Sequence, residues 1–62
     1  MEALGINTAI VRVLKEYDKN LPIEFLAKKI GRETSETRSN IEELIEEGVV
    51  RLMRDNTVQI IK

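Results

Sequence analysis

The 62-residue sequence has no cysteine, no histidine and no tryptophan, a single proline, three glycines, one tyrosine and one phenylalanine. Without cysteine no disulfide can staple so short a chain, and a reducing, intracellular setting is the natural reading. Without His or Cys the usual ligands of a transition-metal site are missing. Only carboxylates remain, and Glu42, Glu43, Glu46 and Glu47 read as a solvated helix face rather than a hard-cation site. General acid–base work most often uses His, and Ser35 and Ser39 have no base to activate them. Gly5, Gly31 and Gly48 are scattered, so no phosphate-cradling loop is spelled out. An enzyme is not expected, nor is a cofactor or a metal. The apolar runs are far shorter than a membrane span, and Met1 to Gly5 does not read as a signal peptide. The expected compartment is the cytoplasm, with no membrane partner.

What is present fits one domain over residues 1–62. A chain of this size buries only about 60% of its unfolded surface, so its stability is marginal. The formal net charge of −1 argues against coating nucleic acid by charge alone. The distribution is more telling. Lys28, Lys29, Arg32 and Arg38 against Glu33 and Glu36 give a segment of net +2. Four glutamates from Glu42 to Glu47 follow, and then Arg51, Arg54 and Lys62 against Asp55, again net +2. An acidic half-helix is flanked by two basic segments.

Three helices are expected. Residues 1–5 read as a lead-in. Asn7 suits an N-cap, with Ile6 and Val11 placed as a hydrophobic staple. Ile6, Ile10, Val13, Leu14 and Tyr17 then follow one buried stripe, which places the first helix over about residues 8–18 with Tyr17 in the core. Asp18-Lys19-Asn20 is a turn, and Leu21 can form a short strand. Pro22 suits the first turn of a second helix that buries Ile23, Leu26, Ala27 and Ile30, with Phe25 at its edge. Gly31 is placed to end that helix in the left-handed conformation. Thr34 or Ser35 should cap a third helix that runs to about Glu47 and buries Thr37, Ile41, Leu44 and Ile45. Gly48 stops it.

A hairpin follows. Val50 and Leu52 alternate with Arg51 and Met53, and Val58 and Ile60 with Gln59 and Ile61. Pairing Leu52 with Val58 and Val50 with Ile60 puts all four on one face. That register leaves Arg54-Asp55-Asn56 as a three-residue loop, with Asn56 in the left-handed position such loops require. The outer side then carries Val49, Met53 and Ile61.

PIEFLAKKIGRETSETRSNIEELIEEGVVRL, from Pro22 to Leu52, resembles the winged helix-turn-helix family through Leu26-Ala27, Ile30-Gly31, Ile41, Leu44 and Gly48-Val49-Val50. The resemblance, extending to Ile61, implies a mainly α (α+β) fold: a three-helix helix-turn-helix core with a C-terminal β-hairpin wing. It also implies a DNA-binding function, as in transcription regulators, with helix 34–47 reading double-stranded DNA and the 50–61 wing beside it. Members of that family also include modules that bind only other proteins, and fold does not fix which.

In the DNA reading Lys28, Lys29, Arg32, Arg38, Arg51 and Arg54 contact phosphates, and Ser35, Ser39 and Asn40 face the bases. A helical projection at about 100° per residue places Glu36, Ser39, Glu43 and Glu46 opposite the expected buried side, with Ser35 and Asn40 near the flanks. Glu36 and Glu43 thus oppose the DNA reading, since carboxylates repel phosphates. The alternative is a protein-interaction or assembly module, supported by the acidic helix and the apolar outer residues of the hairpin. A homodimer or a larger protein would be its partner.

Overall fold

The computed structural model describes residues 5–61. Its elements are α1 (Gly5–Tyr17), β1 (Leu21–Pro22), α2 (Ile23–Ile30), α3 (Thr34–Glu46), β2 (Val50–Leu52) and β3 (Thr57–Ile60). The three helices pack on one another, and the β2–β3 hairpin closes against α1 and α3. This is a winged helix-turn-helix layout. The strands form one antiparallel sheet in the order β1-β3-β2, so the short strand anticipated at Leu21 joins the wing to the body.

The core contains Ile10 and Leu14 from α1, Leu21, then Ile23 and Leu26 from α2, Ile41 and Leu44 from α3, and Val50 and Val58 from the hairpin. Each helix contributes one apolar stripe, and each strand residue arrives by two-residue alternation. Burying these stripes against one another is the main force holding the domain together. No helix among the described residues is long and apolar enough to cross a membrane.

All three helices end on a left-handed residue. Gly31 (φ 72°) follows α2, and the N–H groups of Gly31 and Arg32 donate to the carbonyls of Lys28 and Ala27. Gly48 (φ 78°) follows α3, with Gly48 and Val49 donating to Ile45 and Leu44. Both are Schellman motifs, which satisfy carbonyls the helix leaves free. Asp18 (φ 55°) ends α1 through a single bond from its N–H to Leu14.

The hairpin has the expected register: Val50 pairs with Ile60, Arg51 with Gln59 and Leu52 with Val58. Asn56 (φ 68°) takes the left-handed position, and the Met53 N–H closes the loop onto the Thr57 carbonyl at 2.8 Å. Asp55 Oδ1 accepts from the Thr57 hydroxyl at 2.6 Å and from the Thr57 N–H at 3.2 Å. These bonds hold the Asp55 carboxyl below its ordinary 3.8.

Several local expectations need correction. Of the expected lead-in at 1–5, residues 1–4 lie outside the described residues and Gly5 already begins α1, so Asn7 is inside the first turn and is not its cap. Pro22 is the N-cap of α2 rather than its first helical residue. Glu33, in extended conformation, is the N-cap of α3, with no side-chain cap from Thr34 or Ser35. Tyr17 is 37% exposed, not core, because it sits at the last turn of α1 beyond the buried stripe. Ile45 is 36% exposed: it lies about 100° round the helix from Leu44, at the edge of the stripe. Leu52 shares the inner face with Val50 and Val58 yet is 42% exposed: it lies on the edge strand β2, whereas its partner Val58 on the central β3 is fully buried. Val49 is half-buried against the core rather than outside it.

Candidate nucleic-acid interface

The helix-turn-helix unit is α2, the turn Gly31 to Glu33, and α3. Its geometry follows from two local facts. The Schellman motif at Gly31 reverses the chain in three residues, and the extended Glu33 (φ −66°, ψ 149°) launches the next helix at once. The Thr37 side chain, fully buried, donates its hydroxyl to the Glu33 carbonyl at 2.9 Å. That bond doubles the backbone bond of the first turn of α3, which has no side-chain cap.

With Thr37, Ile41 and Leu44 as the buried side, the outer ridge of α3 is Ser35, Ser39, Glu42 and Glu46, all exposed. This differs from the projection that included Ile45, and the rotation moves Glu42 into the ridge and Glu43 onto a flank. The ridge is neutral for its first turn and a half and acidic afterwards. Ser35 and Glu42 are seven residues apart, about 10 Å along the axis. Arg38 is exposed on the flank opposite Glu43.

Lys28 and Arg32 line an open depression with Pro22, Gly31 and Thr34, and Glu24, Glu33 and Glu36 share its lining. The two cations therefore stand beside the N-terminal end of the outer ridge. Arg51 is exposed on β2 and Arg54 is exposed in the hairpin loop.

Two of the candidate residues stand apart. Asn40 is half-buried and lies off the ridge, on the Glu43 side. Lys29 is turned to the aromatic pair of Tyr17 and Phe25. These rings meet edge to face with centroids 5.2 Å apart, and the Lys29 Nζ lies 5.6 Å from each centroid. The adjacent Tyr17 side chain, with a smaller part from the Glu16 carboxylate, holds the Lys29 ammonium above its ordinary 10.5.

One contact was not legible in the sequence. Asn7 Nδ2 donates to Glu43 Oε1 at 3.2 Å, joining the first turn of α1 to the second half of α3. The partners are 36 residues apart, and a periodicity argument ranks each helix by itself. Comparison of the chain with protein-family models, with curated proteins and with solved structures finds no match.

Proposed function

We propose that this domain binds duplex DNA and acts as the DNA-reading part of a transcription regulator, entering the major groove with the N-terminal half of α3. The carrying observation is the division of the α3 outer ridge: Ser35 and Ser39 come first, with Arg38 on the flank and Lys28 and Arg32 beside the start. In the helix-turn-helix mode the N-terminal residues of this helix reach base edges, while its far end leaves the groove. An acidic far end is then tolerated. Lys28, Arg32, Arg38, Arg51 and Arg54 supply phosphate contacts, which set affinity; Ser35 and Ser39 supply base contacts, which set preference. Asn40 and Lys29 have weaker claims, because one is half-buried off the ridge and the other is held over two aromatic rings.

The test compares two variants on a duplex selected from a random pool and on random duplex. Arg54→Ala weakens both alike and lowers the log–log salt slope by about one unit. Ser39→Ala weakens the selected duplex more than the random one. An unchanged salt slope in Arg54→Ala, together with equal losses for Ser39→Ala, contradicts this placement.

A second reading is a protein-interaction module. The observation that favours it is the exposure of Ile45, Leu52 and Ile61, each more than a third accessible. It expects no duplex binding even at low salt.

A further inference from the structure

Glu42 and Glu46 lie on the outer ridge of α3, and Glu43 adds a third carboxylate beside it. Glu43 sits directly after Glu42 and one turn past Ser39, on the flank of the ridge. A free glutamate there can swing its charge toward a bound phosphate backbone. Its side chain is not free, because its Oε1 accepts from Asn7 Nδ2, and Asn7 belongs to α1 on the core side of the helix. Asn7 is half-buried, and its own Oδ1 is enclosed without a hydrogen-bond partner. Turning the amide over would set its oxygen against the carboxylate, so the amide has one workable orientation.

We infer that Asn7 is a positioning residue for DNA binding: it draws the Glu43 carboxylate back toward α1 and keeps that charge off the groove-facing ridge. This rests on the duplex-binding reading above. The bond itself is a single hydrogen bond to a charged acceptor, modest in stability. Its consequence is electrostatic. A unit charge moved several ångströms toward a phosphate in water-exposed, salt-screened surroundings changes affinity by about threefold.

The experiment is a set of four 62-residue chains: wild type, Asn7→Ala, Glu43→Gln and the double variant. Each is titrated with one random-sequence duplex at low and at near-physiological salt. Asn7→Ala weakens binding about threefold at low salt, and by less as salt rises. The double variant recovers wild-type affinity or better, because the released side chain no longer carries charge. Glu43→Gln alone moves binding less than it does in the Asn7→Ala background, since the charge it removes was already withdrawn. A merely structural role for Asn7 gives a loss that follows the melting temperature and is not rescued by Glu43→Gln, and that result overturns the inference. So does an Asn7→Ala chain that binds like wild type. Wild type that binds no duplex at low salt removes the DNA reading itself. That failure is separate from the other two, which arise only in a protein that binds.

Discussion

Thr37 is the buried polar side chain of the core among the described residues, and it carries two separable contributions. Its hydroxyl bonds to the Glu33 carbonyl, but that carbonyl also accepts the Thr37 N–H at 3.0 Å. Removing the hydroxyl therefore strands nothing, whereas removing the methyl opens a hole. Thr37→Val should change stability by less than about 1 kcal/mol, and Thr37→Ser should cost about 1 kcal/mol or more. Denaturant melts that rank the two the other way round would contradict this. At the hairpin tip, Asp55 has a lowered carboxyl pKa through its bonds to Thr57. A carboxyl lowered in the folded state stabilises above its unfolded value and loses that contribution as pH falls through the folded one. The bonds to Thr57 should thus be complete above the ordinary 3.8 and fade below it. In Thr57→Val the Asp55 carboxyl should titrate closer to that ordinary value, as followed by NMR. At this scale the sequence was least legible. The fates of Asn7, Tyr17 and Ile45 depend on partners or helix ends that no local pattern encodes: Asn7 finds Glu43, Tyr17 finds Phe25, and Ile45 sits at the edge of the stripe.

Elements were far more legible, because their signals are local and redundant. Gly31 and Gly48 were expected to be left-handed and are, and Asn56 completes the loop that the hairpin register required. The boundaries that shifted are those with weak local signals. The N-cap of α3 is Glu33 although two hydroxyl residues follow it, and its carbonyl accepts both the N–H and the hydroxyl of Thr37. The helix ends also allow a paired test. Asp18 holds a left-handed φ of 55° and places a negative charge at the carbonyl end of α1, where the helix dipole disfavours it. Asp18→Gly should stabilise the domain by up to about 1 kcal/mol. Gly31→Ala should cost about 1–2 kcal/mol from backbone strain alone, since an added Cβ meets no atom within 4 Å. Thermal melts of the two variants shifting in the same direction would count against this account of the helix ends.

The described residues span 33 × 22 × 21 Å. Their core is correspondingly small, and Leu44 lies at the junction of α3 with the other elements. Leu44→Ala should cost about 2–5 kcal/mol, enough to unfold much of so small a domain. A loss below about 1 kcal/mol in a denaturant melt would mean that α3 does not hold the core together. The fold class could be read from the chain because stripe, glycine stop and alternation all agree on it. The candidate site was less legible: the exposure of Ser35, Ser39, Lys28, Arg32, Arg38, Arg51 and Arg54 follows from the pattern, but the outer ridge of α3 depended on whether Ile45 is buried. The central claim, that this ridge and its cations engage duplex DNA, is tested most directly by titrating the wild-type chain with random-sequence duplex at several salt concentrations. With Lys28, Arg32, Arg38, Arg51 and Arg54 available, binding should weaken steeply with salt, at about −0.9 per neutralised phosphate and a log–log slope between about −3 and −4.5. Undetectable binding at the lowest salt, where counterion release is strongest, would contradict it.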